Sequence, residues 1–527
     1  MAELRAANDA GDQTLIDALT QARAHYQAGH AAAAEQGYRQ ILETHPNQPE
    51  ALHLLGYLAY QAGRHEAAIE LIGRAVAFGD EAAAPRNDLA LALWASGRPE
   101  AAAQCCRAAL ALKPGFPEAW LNLGNARKDQ GEPGGAIQCY RRTLALDRRR
   151  VEAWNQMAIT WIEEARFDLA ESACLSVLSL RPTMAEAHYN RALALLVRGR
   201  WGEAWPEFEW RLRVKAMAKT RADIAGRRWE GGSWSGDRAE APVVLVHGEQ
   251  GLGDSIMFCR FAPLVVARGW QVVLAVQPEI VGLLAEGLDS EELTVGVIPN
   301  AAEGIDVALP PYDSQVSLMS LPALFATEPA TIPHEPYLRA DPKRRQRWRA
   351  RIHEAAPSGI RVGLVWAGNP RRGNTAGAAV DRRRSLSLSL LAPLGGIEGA
   401  HFFALQKGKA GLEALQPPPA LGLVDLAPEI RDFRDSAAII AELDLLISVD
   451  TAAAHLAGAL GCKVWLLNRF DTDWRWLWER SDSPWYPSLT IYRQPRRGDW
   501  QATIQRVSVD LERLAREPGG LSAHPGV

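Results

Sequence analysis

A glycine-rich turn in this sequence carries one carboxylate that could do acid–base chemistry. The turn is HGEQGLGDSIMF, residues 247–258, and its carboxylate is Asp254. The residues after it read as a helix, and a helix N-terminus stabilises an ionised carboxylate by about 0.3–1 kcal/mol at exposed sites. An ionised carboxylate can accept the proton of an attacking hydroxyl as a general base. We predict that role for Asp254, with Glu249 as the reserve candidate; the alternative is that Asp254 only caps the helix.

The glycines of this turn also invite a phosphate-binding interpretation, which their spacing disfavours. Gly248, Gly251 and Gly253 do not form G-x-G-x-x-G, and no ribose-binding acid follows a second strand at the expected distance. An aspartate in the turn would also repel a phosphate. The turn is therefore predicted to line a cleft beside the base, through residues Glu249, Gln250, Gly251 and Gly253.

A second segment is suited to holding an anion. The stretch DTAAAHLAGALG, residues 450–461, begins a helix at Asp450 and Thr451. Such a helix start offers free N–H groups and a positive dipole end to a phosphate. His455 lies one turn further along, and the alanines between keep the side chains short. We predict an anion site here, although a lone histidine on such a helix is more often structural.

Further positive charge for the same anion is predicted at two places. Lys407 follows Gln406 at the end of the run FFALQKG. Arg384 closes a long glycine-containing loop that starts near Gly368 and could fold over the ligand. Preorganised positive charge of this kind stabilises a leaving group that departs as an anion. The neighbouring arginines 382 and 383 fit a solvated face equally well.

A metal site is the alternative chemistry, and its signal is the DTD sequence at residues 471–473. It looks like the D-x-D that holds a divalent cation in one of the glycosyltransferase folds. Its context differs, because here it follows the last strand of a second parallel-sheet lobe. We therefore expect no metal in catalysis. The nearby tryptophans are assigned to the core, with one ring stacking on a base or sugar at most: Trp474, Trp476, Trp478 and Trp485.

The candidate site residues can act together only if helices and strands bring them to one edge of a sheet. After Pro242 the chain alternates short β-branched runs with helical segments, which predicts parallel sheets with helices on both faces. The runs are VVLVHG, WQVVLAV and LTVGVI in one group, and RVGLVWAG, HFFALQKG, ELDLLISVD and KVWLLN in a second. The basic segment 341–355 separates the groups. Ligands bind such sheets at the carboxyl ends of the strands, so we expect a cleft between two lobes and an apolar helix from Ser255 to Arg268.

The first two hundred residues repeat with a period of 34 residues. Alanine recurs at positions 34, 68, 102, 136, 170 and 204. A second series of small residues runs in phase with it: Ala22, Gly56, Ala90, Gly124, Ala158 and Ala192. Small residues at both places let paired antiparallel helices approach closely. This pattern resembles the tetratricopeptide repeat over residues 13–211, most clearly at 118–147, although Asp80 and Arg148 replace the usual terminal proline.

One polar residue per repeat stands two positions before the second small series. The column consists of Asp88, Asn122, Gln156 and Asn190, and Thr20 and Leu54 interrupt it. In tetratricopeptide arrays the first helix of each repeat lines an inner groove. We predict that the column hydrogen-bonds the backbone of a captured protein segment; the alternative is a row of solvated polar positions.

The second half resembles the GT-B glycosyltransferases of the heptosyltransferase type over residues 228–515. The resemblance rests on five motifs in order: GEQGLGDSI, VGLVWAGNP with RRRSLSLSLL, FFALQKG, DTAAAHLAGALGCKVWLL and SPWYPSLTIYRQPRRGDW. It implies two Rossmann-like lobes, Asp254 as the base, and a donor phosphate pocket lined by Thr451 and His455. It also implies an inverting, metal-independent reaction that uses a nucleotide-sugar as co-substrate and no cofactor.

The whole chain resembles bacterial proteins that fuse such a half to tetratricopeptide repeats and glycosylate flagellin or other intracellular proteins. The expected organisation is an α-solenoid at 1–211, a linker at 212–241, a lobe with the base at 242–340, a nucleotide-sugar lobe at 341–515 and a disordered tail at 516–527. Two alternatives stay open. One is a lipopolysaccharide or cell-envelope glycosyltransferase whose repeats dock a partner protein, and the other is a non-catalytic repeat adaptor.

Composition restricts the partners and the location. The chain has 527 residues, 47% of them apolar, and a formal net charge of −4, which disfavours a nucleic-acid partner. No basic start with an apolar stretch and no run of 18 apolar residues occurs, so we expect a cytoplasmic protein without a transmembrane segment. The six cysteines lack zinc-binding spacing and are predicted to be buried thiols.

Overall fold

The computed structural model describes residues 2–79, 82–215, 217, 224, 226–235, 240–288, 295–300, 309–368 and 375–516. The chain divides into two compact units, Met1–Ala187 and His188–Val527. The expected tail lies outside the described residues from 517 onward, as do parts of the expected linker.

The first unit is built from successive helices. They are α1 (Ala2–Gln27), α2 (Ala31–Thr44), α3 (Pro49–Gln61), α4 (His65–Phe78), α5 (Ala83–Ala95), α6 (Pro99–Leu112), α7 (Pro117–Asp129), α8 (Pro133–Leu146), α9 (Val151–Glu163), α10 (Phe167–Leu180) and the first turn of α11 (Ala185–Leu196). Each helix packs mainly on its neighbours in sequence, as stacked repeats do. The helical repeat predicted from the period of 34 is confirmed.

The two series of small residues form the seam between paired helices, as predicted. All six alanines of the first series are buried. A Cβ added at Gly56 would lie 2.5 Å from Cγ1 of Ile72, and one at Gly124 would lie 2.4 Å from Cε1 of Tyr140. Because no larger residue fits without displacing the opposite helix, this packing explains why the second series alternates between alanine and glycine.

The second unit contains a four-stranded parallel sheet. Before this sheet, the second unit begins with the rest of α11 and with α12 (Trp201–Phe208). The strands are β1 (Val243–His247), β2 (Gln271–Val276), β3 (Val295–Pro299) and β4 (Ser314–Ser317), in the order β3-β2-β1-β4. The helices are α13 (Leu252–Phe258), α14 (Ala262–Val266), α15 (Pro278–Gly287) and α16 (Leu321–Leu324). The strand order reverses between β1 and β4.

A six-stranded parallel sheet follows after the helix α17 (Pro342–Ala355). Its strands are β5 (Ile360–Val365), β6 (Ala400–Ala404), β7 (Val424–Asp425), β8 (Leu445–Val449), β9 (Val464–Asn468) and β10 (Leu489–Arg493), in the order β10-β9-β8-β5-β6-β7. The helices are α18 (Thr375–Arg384), α19 (Phe433–Ile440), α20 (Ala452–Ala459) and α21 (Trp500–Arg516). Here the strand order reverses between β5 and β8, which is where such sheets bind ligands.

The seven runs predicted as strands all form strands, but other expectations need correction. The predicted helix from Ser255 to Arg268 is broken by a 3-10 turn at Cys259–Phe261. Pro263 stands at the start of α14, and a proline inside a continuous helix would lack an N–H and clash with the carbonyl four residues earlier. Strands β4, β7 and β10 were not predicted.

Helix α12 lies in the second unit, so the division at residue 187 falls earlier than the repeat boundary expected at 211. The ring of Trp201 stacks on Trp485 at 5.2 Å, and Trp205 meets Trp474 edge-on at 6.0 Å. Phe258 of α13 stacks on Trp474 at 6.2 Å. These rings form one aromatic cluster with residues from both sheets, which holds α12 against the parallel-sheet region.

The predicted burial of the cysteines and tryptophans is confirmed for most of them. Five of the six cysteines are buried, and Cys105 is partly buried. Burial raises the pKa of the Cys259 thiol to about 12. The tryptophans 474, 476 and 485 are buried, as expected, whereas Trp478 is only partly buried. Among the described helices, none combines the length and apolar character needed to span a membrane.

Candidate functional site

Asp254 lies in the first turn of α13, directly after the carboxyl end of β1. Its Oδ2 accepts a hydrogen bond from the backbone N–H of Gly251, the N-cap residue, at 2.8 Å. Its Oδ1 accepts a hydrogen bond from Nη2 of Arg475 at 2.5 Å. The Asp254 side chain is 14% exposed. It is therefore a helix cap and, in addition, one half of an ion pair that joins the first sheet region to the second.

Arg475 is the residue on the second sheet that faces this carboxylate. It lies in the short 3-10 helix Trp474–Trp476 after β9, and its Nη1 donates to Oδ1 of Asp473 at 2.8 Å. Its Nε is buried and has no hydrogen-bond partner among the described residues. Burial lowers the pKa of Arg475, but the carboxylates of Asp254 and Asp473 raise it by more, so the net shift is upward. The guanidinium is therefore a permanent cation in a desolvated position.

The first turn of α20 lies against the same place. Thr451 is the N-cap residue of this helix, and its hydroxyl shares a hydrogen bond with Ser448 at 3.1 Å. A Cβ added at Gly253 would lie 2.8 Å from Cδ2 of His455 and 3.5 Å from Cα of Ala452. The glycine thus lets the start of α13 touch the start of α20. The predicted base turn and the predicted anion segment are brought together.

His455 is held as a neutral imidazole inside this contact. Its Nδ1 shares a hydrogen bond with the hydroxyl of Tyr486 at 3.0 Å, and its ring stacks on Trp476 at 5.1 Å. Its Nε2 lies 3.8 Å from Oδ1 of Asp450. Burial lowers the pKa of His455 to about 4, against a smaller opposing effect of Asp450. At neutral pH the ring can therefore exchange hydrogen bonds without carrying charge.

Arg384 lies at the point where the strand order of the second sheet reverses. Its Nη1 donates to the carbonyl oxygen of Asp450 at 3.0 Å, and its Nε donates to Oδ1 of Asp381 at 3.0 Å. Arg383 pairs with Asp471, whereas Arg382 is exposed. Two of the three arginines therefore dock α18 onto the strand ends. The loop that starts near Gly368 lies outside the described residues at 369–374.

Gln406 and Lys407 support backbone at the same edge. The Gln406 Oε1 accepts hydrogen bonds from the N–H groups of Trp366 and Ala367, at 3.0 and 2.8 Å. The Lys407 Nζ donates to the carbonyl oxygens of Ala427 and Ile430, both at 2.8 Å. Gln406 is buried, so the structure shows it shaping the end of β5 rather than presenting its oxygen to a ligand.

The reserve base Glu249 is committed elsewhere, which corrects its expected role. It is buried, and its Oε2 accepts from Nη2 of Arg211 at 2.8 Å and from the hydroxyl of Ser317 at 2.6 Å. Burial lowers the pKa of Arg211, while Glu249 and Glu209 raise it by more. This ion pair fills the point between β1 and β4 where the first sheet reverses its order. Gln250, next in the turn, accepts at its carbonyl oxygen from Gln277 at 2.9 Å.

The polar column of the repeats makes hydrogen bonds between neighbouring repeats. Asp88 contacts Nε2 of His53 at 2.8 Å, and Asn122 donates to Oδ1 of Asn87 at 2.8 Å. Gln156 accepts from Lys128 at 3.1 Å. Asn190 lies on α11, in the second unit. Part of the hydrogen-bonding capacity of the column is therefore used to link repeats.

The carboxylates of the DTD sequence are engaged by arginines. Asp471 pairs with Arg383 at 3.0 Å and with Arg469 at 3.4 Å, and Asp473 pairs with Arg475. The described residues include no cluster of three or more His, Cys, Asp or Glu side chains arranged to hold a metal ion. The geometry at this position is that of an ion-pair network.

Sequence reasoning missed two arginines at the site. Arg475 was passed over because the DTDWRW stretch was assigned to a metal alternative and to the core, although a cation between two tryptophans indicates a desolvated guanidinium. Arg260 is also buried. It donates to the carbonyl oxygen of Trp485 at 2.7 Å and to the hydroxyl of Tyr337 at 3.1 Å. No local pattern marked Arg260, because its partners are distant in sequence.

Comparison with known proteins identifies the repeats. A family profile described as tetratricopeptide repeat matches residues 19–86, 87–149 and 162–209, so the chain contains tetratricopeptide repeats. The chain is 30% identical over 351 residues to protein FlbA of Caulobacter vibrioides, covering 63% of this chain and 56% of FlbA. The chain thus spans little more than half the length of this relative. The first unit ends at residue 187 of 527, so the similarity extends into the second unit.

Solved structures that are similar to this chain cover about a third of it. MamA is 22% identical, covering 31% of this chain and 94% of MamA, with a TM-score of 0.29. PilF of Pseudomonas aeruginosa is 19% identical, covering 39% and 93% of the two chains, with a TM-score of 0.34. A tetratricopeptide-repeat protein of Thermus thermophilus is 23% identical, covering 34% and 99%, with a TM-score of 0.30.

Proposed function

We propose that this protein transfers a sugar from a nucleotide-sugar to a hydroxyl group of a protein. In this proposal the two parallel sheets are the lobes of a GT-B glycosyltransferase of the heptosyltransferase type. The sheet of β1–β4 supplies the base, and the sheet of β5–β10 holds the nucleotide-sugar. Supporting it are the order of the five sequence motifs and the presence of two parallel sheets with helices.

One observation carries the proposal. The turn that bears Asp254 follows β1, and it meets the start of α20, which follows β8 at the reversal point of the second sheet. A carboxylate from one sheet and a helix N-terminus from another sheet thus share one location. Direct displacement needs a base and an anion site on the two sides of one reacting carbon, and their shared location supports that arrangement.

The proposed reaction is a displacement at the anomeric carbon with inversion, as the family resemblance implies. The acceptor oxygen forms a bond to that carbon while the bond from the carbon to the phosphate oxygen breaks. The hydroxyl proton passes to the carboxylate of Asp254, and the electron pair of the broken bond leaves on the nucleoside diphosphate. The N–H groups at the start of α20, the Thr451 hydroxyl and Arg384 receive that anion. No oxidant, reductant or metal takes part.

The repeats are proposed to present the acceptor. Tetratricopeptide repeats bind protein partners as a class. The side chains of Asp88, Asn122 and Gln156 each hydrogen-bond a side chain of a neighbouring repeat in the first unit. We propose that these side chains hold an extended segment of the acceptor protein through its backbone.

A second candidate function is a non-catalytic adaptor, and one observation favours it. Lys407 and Gln406 are both engaged by backbone groups, which is also expected of a sheet edge that no longer binds a ligand. In that case the repeats would bind a partner and the second unit would serve as a scaffold.

A donor-turnover assay separates the two functions. The purified chain is incubated with a panel of nucleotide-sugars and an extract of a strain that lacks the gene, and release of nucleoside diphosphate is measured. A glycosyltransferase releases nucleoside diphosphate from one donor, and Asp254→Asn reduces that rate by about 10²-fold or more. The matched control Asp482→Asn, at an exposed ion pair, keeps the rate. An adaptor shows no release with any donor.

A further inference from the structure

Arg475 and Asp254 form an ion pair, and each has a further interaction to make: Asp254 with the acceptor proton and Arg475 with an anion. The Asp254 carboxylate is the proposed base, yet one of its oxygens is bound to Arg475 at 2.5 Å and the other to the N–H of Gly251 at 2.8 Å. A carboxylate whose two oxygens are already bound to these donors is not free to reach the proton of an acceptor hydroxyl. In the arrangement seen here the base is therefore restrained.

The Arg475 guanidinium has unused binding capacity at the same time. Its Nε lies buried without a hydrogen-bond partner, and its central carbon lies 4.6 Å from the ring centre of Trp474 and 5.7 Å from that of Phe258. Aromatic rings cannot accept the remaining N–H bond as well as an oxygen does. A buried N–H without a partner is costly, so an oxygen anion that reaches this position gains a bond that the ligand-free protein leaves unmade.

The segment 450–461, predicted to bind an anion, lies close to Arg475, so an anion bound there can compete with Asp254 for this cation. Trp476 follows Arg475 directly in sequence and stacks on His455 at 5.1 Å. Asp450, which precedes the N-cap of α20, contributes to the upward shift of the Arg475 pKa. A guanidinium with planar, forked donors binds a phosphate with two parallel hydrogen bonds.

We propose that Arg475 is a donor-sensing residue: the diphosphate of the bound nucleotide-sugar takes Arg475 from Asp254 and thereby releases the base. This inference rests on the proposed function and adds regulation to it. The base is restrained while no donor is bound, and it becomes available only when the leaving group is already in place. A forked contact to the diphosphate uses Nε together with Nη2, the donor that holds Asp254. The ion pair and the diphosphate therefore exclude each other.

The competition has a thermodynamic signature that a purely structural ion pair lacks. Asp254→Asn retains an oxygen for the Gly251 N–H but removes the charge that competes for Arg475. The diphosphate then no longer has to displace a carboxylate, so its affinity rises by about tenfold, a typical coupling between two sites. Arg475→Met lowers the affinity by a similar factor. In the double variant, Asp254→Asn brings no gain, because the cation for which the two anions compete is missing.

The experiment is calorimetric titration of the full-length protein with inorganic pyrophosphate, and then with ADP, GDP and UDP. The expected order of affinity is Asp254→Asn, wild type, Arg475→Met, with Asp482→Asn equal to wild type. Circular dichroism checks folding, and Arg475→Lys serves if Arg475→Met is unfolded. Equal affinities for wild type and Asp254→Asn, or the absence of binding by both, would overturn the inference. The readout is equilibrium binding, so it can fail while sugar transfer is still observed, and it can succeed while no transfer occurs.

Discussion

At the scale of single residues, the site is governed by how little room and how little solvent its charges have. Asp254 and Arg475 are 14% and 8% exposed in their side chains. Burial of a charge without its partner is expensive, so each is held in place by the other. The contact between Gly253 and His455 sets how closely α13 and α20 approach each other.

Gly253 is predicted to tolerate no side chain. In Gly253→Ala the new Cβ would lie 2.8 Å from the His455 ring, which must move or push α13 away. We expect a loss of about 1–3 kcal/mol in the free energy of unfolding, measured by urea denaturation. Gly232→Ala, where nothing lies within 4 Å of the new Cβ, is the control. An equal stability of the two variants would show that the helix starts are not in contact.

His455 is predicted to make the second unit sensitive to acid. In the folded protein the pKa of His455 is about 4, against an ordinary value of 6.5. Between these pH values the unfolded chain binds the additional proton, so this contribution to stability is complete above pH 6.5 and is lost as the pH falls towards 4. The total is about 3 kcal/mol at most.

The test compares unfolding free energies of wild type and His455→Gln from pH 7 to pH 4. We expect the advantage of wild type to shrink steadily over that range, because glutamine takes up no proton. A difference that stays constant with pH would mean that the imidazole is not buried as a neutral group.

At the scale of elements, each sheet has a point where its strand order reverses, and the two points are occupied differently. In the second sheet it lies beside the start of α20 and Arg384. In the first sheet it is filled by the chain itself through Arg211 and Glu249. Reversal points are the usual ligand positions of parallel sheets, so filling one of them leaves the other, in the second sheet, as the position for the proposed nucleotide-sugar.

The Arg211–Glu249 pair is predicted to be a large contributor to stability when only one partner is removed. Glu249→Gln leaves Arg211 buried beside Glu209 alone, and we expect a loss of about 3 kcal/mol in the free energy of unfolding. Asp482→Asn breaks an exposed pair with Arg480 and should cost at most about 1 kcal/mol. Chemical denaturation measures both. A loss below about 1 kcal/mol for Glu249→Gln would contradict the described burial.

The elements could be predicted from sequence to the extent that one short window determines them. The period of 34 and the β-branched runs each reflect a local repeat of burial, and both gave correct helices and strands. Strand β4, SQVS, is short and three of its four residues are polar, so the sequence pattern is too weak to predict a strand. Pro263 in the sequence indicates the break after α13, and the prediction of one helix from Ser255 to Arg268 did not take it into account.

The site could be predicted only in part, because its partners are far apart in the chain. Asp254 and His455 stood out because each lies near the start of a helix that follows a strand. The ion pair between Asp254 and Arg475 joins residues 221 positions apart, and no local pattern specifies such a partner. The same distance effect hid the pairing of Arg211 with Glu249. Single residues were therefore identified, but their bonds were not.

At the scale of the whole molecule, the boundary between units does not coincide with the end of the repeats. The last family match ends at residue 209, whereas the second unit begins at His188. The rings of Trp201 and Trp205 pack on Trp485 and Trp474, so α12 serves as part of the parallel-sheet unit.

This boundary predicts the behaviour of truncated chains. A fragment of residues 182–527 keeps α11 and α12 and should unfold in one cooperative transition with a strong near-ultraviolet tryptophan signal. A fragment of residues 212–527 loses the rings of α12 and Arg211, and we expect it to aggregate or to lose that signal. Circular dichroism during heating provides the comparison. Identical melting of both fragments would place the boundary at 211 instead.

The central claim is that the carboxylate of Asp254 takes the proton during transfer of a sugar to a protein. Its most direct test is intact mass spectrometry of proteins from cells that carry wild type, Asp254→Asn or Asp482→Asn in place of the natural gene. The account predicts a sugar-sized mass increment on at least one protein with wild type and Asp482→Asn, and its loss with Asp254→Asn. The same increment at the same level with Asp254→Asn would contradict it.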